Sequence, residues 1–162
     1  GLALISNWLP VAVREPENMV ARGGMLVGSC MAGIAFLKGL GMVHAISHMV
    51  GAEYDTQHGL TNAIVLPVVM RYNLPGLEPK VARMAEVMGI IDGSTDGFIN
   101  NLEEILDEID VPRSLAAIEV PFDCAPRIAE KALLDSAAAT NPRQASVADV
   151  RQMIETAITA AR

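Results

Sequence analysis

The sequence predicts an all-α fold, and the spacing of its apolar residues is the main reason. In every long segment apolar side chains recur at three- and four-residue intervals, which is the period of an amphipathic helix, whereas the alternation typical of strands is nearly absent. Proline and glycine interrupt the pattern and divide it into helices of moderate length. The chain has 162 residues, of which 51% are apolar, so it can bury a core of its own. We predict one helical domain over residues 1–162.

Two helices are predicted before the first strong break in the pattern. The first covers Ala3 to Arg14, and Pro10 should kink it or end its first turns. The second runs from Met19 to Leu37 and ends at the Gly39-Leu40-Gly41 segment. The residues predicted on its buried faces are Met25, Ile34 and Phe36.

The next two helices contain all the histidines or follow them directly. The third is predicted from Val43 to about Val50, and the fourth from about Leu60 to Tyr72. Pro67 lies inside the fourth helix and predicts a kink there, because proline has no N–H to donate to the preceding turn.

The second half of the chain carries clear start signals for four more helices. These are predicted over residues 78–88, 95–109, 127–137 and 147–160. Ser94 is the N-cap of the second of them, Pro126 suits the first turn of the third, and Ser146 with Asp149 resembles a capping box at the start of the last. Residues 111–123 contain two prolines and are predicted as a short helical turn followed by a loop.

Charge and cysteine content argue against several classes of protein. The net charge is −7 and there is no cluster of Lys and Arg, so nucleic acid is not an expected partner. No stretch of 18 apolar residues is free of charge, so we expect neither a membrane helix nor a membrane partner. Cys30 and Cys124 lie far apart in the sequence, and we expect buried thiols rather than a disulfide or a metal pair.

Two features suggest that the chain is part of a longer one. Its mean hydropathy of +0.33 is high for a free-standing soluble domain and predicts a surface that a partner or a missing domain covers. The apolar segment that begins at Gly1 has neither the Met nor the basic residues of a targeting peptide. We therefore expect a fragment.

All three histidines of the chain fall within a short segment, which makes them candidates for a shared site. His44 and His48 are four residues apart, so on a helix they project from one face, and the segment before His58 is long enough to return it toward them. Imidazole is the commonest metal-ligating side chain. The residue after His44 is Ala45, which excludes an HExxH metalloprotease. Ordinary capping or core histidines, and a three-histidine metal hydrolase, remain open alternatives.

The segment around these histidines resembles the signature of the iron-containing (group III) alcohol dehydrogenases, which have the dehydroquinate synthase-like fold. The residues that carry the resemblance are Gly41-x-x-His44-Ala-x-Ser-His48-x-x-Gly51-Ala-x-Tyr-Asp-Thr-x-His58-Gly59-x-x-Asn62-Ala63-x-x-Leu66-Pro67-x-Val69-Met70-Arg71-Tyr72-Asn73. Weaker similarity extends over the whole chain. Met49-Val50 departs from the Pro-Leu that relatives often carry.

The resemblance implies a division of roles among the histidines. The positions of His44 and His58 are metal ligands in the family, and that of His48 lies beside the nicotinamide, where it handles a proton. His48 is therefore expected to be both catalytic and cofactor-binding. The implied cofactors are Fe²⁺, or Zn²⁺ or another divalent metal in its place, and NAD or NADP. A further Asp and His ligand, and the N-terminal dinucleotide-binding α/β domain, belong to a part of the enzyme upstream of this sequence.

The expected function is that of the C-terminal helical domain of a metal-dependent, NAD(P)-linked alcohol dehydrogenase or aldehyde reductase. The family implies a cytoplasmic homo-oligomer acting on a small alcohol or aldehyde, and we expect the isolated chain to be inactive. The alternative is a non-catalytic helical domain that supports oligomerisation or binds metal weakly. Glu53 and Asp55 are expected to be solvent exposed rather than to support the ligands, and Arg143 to cap or pair near a helix end.

Overall fold

The computed structural model describes residues 1–160 and contains eight α-helices and no strand within them. The helices are α1 Leu2–Arg14, α2 Met19–Ala35, α3 Gly41–Tyr54, α4 His58–Asn73, α5 Glu78–Met88, α6 Thr95–Glu108, α7 Ala125–Leu134 and α8 Val147–Thr159. Four short 3-10 helices lie at Phe36–Lys38, Leu115–Ile118, Phe122–Cys124 and Ala138–Thr140. The prediction of an all-α fold is confirmed.

The chain divides into two compact units. The first is Gly1–Lys38 with Leu74–Asp110, and it contains α1, α2, α5 and α6. The second is Gly39–Asn73 with the chain from Val111 onward, and it contains α3, α4, α7 and α8. A single domain over residues 1–162 stays a prediction, and its last two residues lie outside the described part of the chain.

In the first unit, α1 and α2 approach each other closely because small residues lie between them. A Cβ added to Gly28 of α2 would lie 3.0 Å from the side chain of Ile5 and 3.1 Å from that of Leu4. Pro10 is buried inside α1, which continues past it to Arg14, so the alternative that Pro10 ends the helix is wrong and the alternative of a kink stays a prediction. The capping signals of this unit are as predicted, since the hydroxyl of Ser94 accepts from the N–H of Gly97 at 3.0 Å.

The outer face of α2 differs from the prediction. Ile34 is 65% exposed and Phe36 is 55% exposed, Cys30 is exposed as well, and only Met25 of the predicted buried set is half-buried. The helix buries the small residues Ala21 and Gly28 instead. The periodicity of α2 identifies its apolar faces but cannot distinguish a covered face from an uncovered one. Cys124, in the second unit, is buried as expected.

The segment Met19–Lys38 is long and apolar enough to cross a membrane, judged by length and composition alone. Core helices of soluble proteins and signal sequences have the same two properties. The expectation that the chain has no membrane helix therefore stays a prediction.

In the second unit, α3 packs against α4 and α7, and α8 packs against α4 and α7. The buried side chains of α3 include Met42, Ile46 and Val50, which are four residues apart and form one face of the helix. His44 and His48 alternate with them along the chain and lie on another side. Burial of the apolar face therefore determines the direction in which the two histidines project.

A buried pair of amide side chains holds the start of α3. Asn141 and Asn73 exchange hydrogen bonds of 2.8 and 2.9 Å, and the same Oδ1 of Asn141 accepts from the backbone N–H of Met42 at 3.1 Å. The hydroxyl of Thr140 accepts from the N–H of Gly41 at 3.1 Å. The first turn of a helix has no intrahelical acceptors for its N–H groups. Thr140 and Asn141 therefore supply hydrogen-bond acceptors to the first turn of α3 from a distant part of the sequence.

We expect Asn141→Ala to lower the free energy of unfolding by about 2–4 kcal/mol, because it leaves several buried donors and acceptors without partners. Chemical denaturation followed by circular dichroism measures this change. The matched control is Asn100→Ala on the exposed side of α6, which should shift the transition little. Equal stabilities for the two variants would show that the amide pair contributes nothing.

Candidate metal and catalytic site

The three histidines come together at one place in the second unit. The ring centroids of His44 and His58 are 5.3 Å apart, those of His44 and His48 are 5.8 Å apart, and those of His48 and His58 are 5.4 Å apart. Asp55 ends α3 in a left-handed conformation with φ of 52°, and its N–H donates to the carbonyl of Gly51. The chain then turns at residues 55–57, and α4 begins at His58. The expected return of the loop is observed, while the role of each histidine stays a prediction.

Asn62, one turn after His58 on α4, links the two histidines that are the predicted ligands. Its Nδ2 lies 3.1 Å from Nε2 of His58 and 3.4 Å from Nε2 of His44. Its Oδ1 accepts from the hydroxyl of the fully buried Ser47 at 2.5 Å. Both Nε2 atoms therefore face one electropositive group. Asn62 and Ser47 belong to the signature quoted above, but no role was predicted for them. The four-residue spacing between His58 and Asn62 could have indicated that the two side chains lie on one face of a helix.

The electrostatic environment of His44 favours its neutral form. Partial burial, followed by the nearby imidazoles of His58 and His48, lowers the pKa of His44 below its usual 6.5. Only the neutral imidazole has a lone pair to offer a metal ion. The surroundings of His44 therefore suit a ligand.

His48 has a different neighbour from the other two histidines. Its Nδ1 lies 2.9 Å from Oδ2 of Asp135, and the two side chains are 34% and 14% exposed. Burial raises the pKa of Asp135, but the hydrogen bonds from the N–H of Ala137 and from His48 outweigh it, so the pKa is lowered overall. Asp135 is thus a carboxylate held against His48.

Sequence reasoning missed Asp135 because it placed this residue inside a helix. The predicted helix over 127–137 in fact ends at Leu134, and Asp135 has extended backbone angles, with ψ of 137°. The carboxylate accepts from the N–H of Ala137 at 2.7 Å, which gives the backbone an alternative to the next helical turn. The contact with His48 joins positions far apart in the chain and has no local signal.

The end of α3 is fixed by an ion-pair cluster rather than exposed. The side chain of Glu53 is 23% exposed and accepts from Arg127 Nε at 2.9 Å and from Lys131 Nζ at 3.3 Å. The prediction of an exposed Glu53 is therefore wrong, whereas Asp55 is exposed as expected. These bonds, led by that from Arg127, lower the pKa of Glu53 to about 2. They tie the last turn of α3 to α7.

Arg143 behaves as expected for a residue near a helix end. Its Nη1 donates to the carbonyl of Tyr72 in the last turn of α4 at 2.9 Å, and its guanidinium lies 4.2 Å from the centre of the Tyr72 ring. A cation at this place also complements the partial negative charge of the helix C-terminus.

The donor set of the described residues is partial. Within residues 1–160, no group of three or more His, Cys, Asp and Glu side chains is arranged to hold a metal ion. His44 and His58 direct two ring nitrogens to one place, and a complete tetrahedral site takes further ligands. The arrangement fits half of a metal site and lends no support to a self-sufficient three-histidine hydrolase.

Solved structures with this fold include alcohol dehydrogenases. The chain superimposes on a 1,3-propanediol oxidoreductase with a TM-score of 0.92 at 36% identity, covering 97% of this chain and 43% of that one. An alcohol dehydrogenase from Oenococcus oeni gives a TM-score of 0.91 at 33% identity, covering 96% of this chain and 43% of the other. The chain thus has the fold of a helical part of such enzymes, as the sequence predicts.

A family model described as "Fe-containing alcohol dehydrogenase family, C-terminal" matches residues 1–158. The chain belongs to the iron-containing alcohol dehydrogenase family. It is 35% identical to the NAD-dependent methanol dehydrogenase of Bacillus methanolicus over 97% of this chain and 43% of that protein. It is 36% identical to the 1,3-propanediol dehydrogenase of Citrobacter freundii over 96% of this chain and 42% of that protein. The chain spans less than half the length of these relatives.

The ion pairs of Glu53 with Arg127 and Lys131 predict how the free energy of unfolding depends on pH in acid. Because the folded state lowers the pKa of Glu53 from 4.5 to about 2, the unfolded state binds more protons between these values. The stabilisation that ionised Glu53 gives the folded state is complete above pH 4.5 and is lost as the pH falls toward 2. We expect Glu53→Gln to lower the free energy of unfolding at neutral pH and to flatten its decline between pH 4.5 and 2.

Urea denaturation at a series of pH values measures this dependence. The control is Glu130→Gln, which removes an exposed carboxylate from α7 and should leave the slope in place. A Glu53→Gln variant whose stability declines with acid as steeply as the parent protein would contradict the prediction.

Proposed function

We propose that this chain is the C-terminal helical part of a metal-dependent, NAD(P)-linked alcohol dehydrogenase or aldehyde reductase. The observation that carries the proposal is the convergence of three imidazoles from the start of α4 and one face of α3. Relatives named as dehydrogenases of methanol and 1,3-propanediol, and the lactaldehyde reductase of Escherichia coli at 34% identity, support the reaction class.

His44 and His58 are the proposed metal ligands. Their Nε2 atoms both face the amide of Asn62, and these two nitrogens would hold the metal ion in place of that contact. The proposed metal is Fe²⁺, with Zn²⁺ or another divalent ion as substitutes. When bound, such a metal supplies Lewis-acid stabilisation of the negative charge that develops on the alcohol or aldehyde oxygen. An Asp and a His from the preceding half of the protein complete the ligands.

His48 is the proposed proton-handling residue beside the nicotinamide of NAD or NADP. It lies one helical turn from His44, which places its imidazole next to the predicted metal ligands without belonging to them. In this proposal Nε2 of His48 takes up the hydroxyl proton during alcohol oxidation, and NAD or NADP, when bound, would accept the hydride from the carbinol carbon. In aldehyde reduction the same nitrogen returns the proton.

The remaining components of the enzyme are also proposed from the family. A small alcohol or aldehyde is the substrate, an N-terminal half supplies the dinucleotide site, and the enzyme is a cytoplasmic homo-oligomer. The coverage of 42–43% of the methanol and 1,3-propanediol dehydrogenases agrees with a further half of similar size.

Variants of the full-length protein test the metal-binding and the proton-handling roles of the histidines separately. We expect His44→Ala and His58→Ala each to abolish metal retention, because each removes a proposed ligand. His48→Ala is the matched control, with the same substitution one turn along α3. It should retain the metal and lower kcat by about 10²- to 10⁴-fold, the usual contribution of a general acid–base residue. Metal analysis after dialysis and steady-state kinetics give both readouts.

Retention of metal by the His44→Ala and His58→Ala proteins would overturn the ligand assignment. A full-length wild-type protein with no alcohol-dependent reduction of NAD or NADP would overturn the proposed activity and favour a non-catalytic helical domain.

The isolated chain of residues 1–162 should neither retain iron through dialysis nor reduce NAD in the presence of a simple alcohol. Two imidazoles leave the charge of a divalent ion without a carboxylate to balance it, and hydride transfer needs a positioned acceptor. Restoring the upstream half should recover both properties. A fragment with stoichiometric iron and alcohol-dependent NAD reduction would refute this account.

A further inference from the structure

We propose that Asp135 is a positioning residue for His48, whose carboxylate fixes the orientation and the tautomer of the imidazole so that Nε2 is the nitrogen that exchanges the substrate proton. This inference rests on the proposed function, in which His48 handles that proton. Asp135 had no predicted role. It lies directly after α7, whereas the histidines belong to α3 and α4.

Asp135 is itself held in place before it meets His48. Its Oδ1 accepts from the backbone N–H of Ala137 at 2.7 Å, and its Oδ2 lies 2.9 Å from Nδ1 of His48. One carboxylate oxygen is thus anchored to the backbone and the other faces the imidazole. The side chain is only 14% exposed, so water competes weakly for the contact.

The chemistry of the two groups determines which nitrogen carries the hydrogen. An ionised carboxylate only accepts hydrogen bonds, so a bond between Oδ2 and Nδ1 requires the hydrogen on Nδ1. A neutral imidazole has one N–H, and Nε2 of His48 is then left with its lone pair. Among residues 1–160, Nε2 of His48 has no hydrogen-bond partner. The contact with Asp135 therefore selects the tautomer of His48 whose lone pair is on Nε2.

Packing of the imidazole alone does not achieve this selection. The ring of His48 is stacked on that of His58 at an interplanar angle of 18°, and stacking restricts the plane of the ring but does not distinguish its two nitrogens. The hydrogen bond that Nδ1 of His48 donates to Asp135 is the described contact that does so. Loss of the carboxylate should therefore affect turnover through His48 rather than through the fold.

The kinetic experiment uses the full-length protein with its metal. Asp135→Asn keeps the size of the side chain and an oxygen for Ala137, but presents an amide NH₂ to His48 and favours the tautomer with hydrogen on Nε2. We expect kcat to fall by about 10- to 100-fold, as for other partners that orient a functional histidine, with metal content unchanged and KM affected less. The control Asp123→Asn removes an exposed carboxylate just before α7 and should leave kcat unchanged.

A double variant tests whether Asp135 acts through His48. In the His48→Ala background, Asp135→Asn should cause no further loss of kcat, because the group that it orients is gone. Losses that multiply, or a loss of bound metal in Asp135→Asn alone, would overturn the inference. Unchanged kcat in Asp135→Asn while the wild-type protein is active would overturn it as well and leave the proposed function standing.

The tautomer can be read independently of activity. Nitrogen NMR of ¹⁵N-histidine-labelled full-length protein, assigned with the His48→Ala variant, should show the neutral His48 ring with hydrogen on Nδ1. In Asp135→Asn the hydrogen should move to Nε2. The same tautomer in both proteins would overturn the inference. This measurement decides it even if the wild-type protein fails to oxidise alcohols, an outcome that would count against the proposed function alone.

Discussion

Helix α3 is held at both ends by residues that are distant in the sequence, and the geometry of the site depends on this. At its start Asn141 accepts from the N–H of Met42, and in its last turn Glu53 binds Arg127 and Lys131 of α7. Between these ends its apolar face is buried. A helix fixed at both termini and along one face has no freedom to rotate, so the directions of its two histidines are set by contacts that do not involve them.

The site combines two kinds of environment within a few ångströms. His44 and His58 face a neutral amide, that of Asn62, whereas His48 faces the carboxylate of Asp135. The amide NH₂ of Asn62 marks the place to which both Nε2 atoms are directed, whereas the carboxylate of Asp135 accepts a hydrogen bond from Nδ1 of His48. Three residues of one type are thus differentiated by their hydrogen-bond partners. The division of roles that the family resemblance implies stays a proposal, and these different partners are the observation that supports it.

Local signals in the sequence predict the helices and the histidine cluster well, because both depend on short spacings. The caps at Ser94 and Ser146 and the returning loop before His58 are of this kind. Exposure of the outer face of α2 and the early end of α7 were not predicted. Both depend on which surfaces meet in three dimensions, and periodicity alone carries no information about that. The role of Asp135 was missed for the same reason, since its partner lies in a distant helix.

The turn at residues 55–57 has a consequence for the order in which the protein acquires its structure. His44 and His58 belong to one helical hairpin, α3 and α4, whose contacts are close in sequence. Closing such a short loop costs little chain entropy, so this hairpin can form early in folding. The contacts of Asp135 and Asn141 span most of the second unit and form only when distant segments arrive. We therefore expect the predicted ligand pair to come together before Asp135 reaches His48.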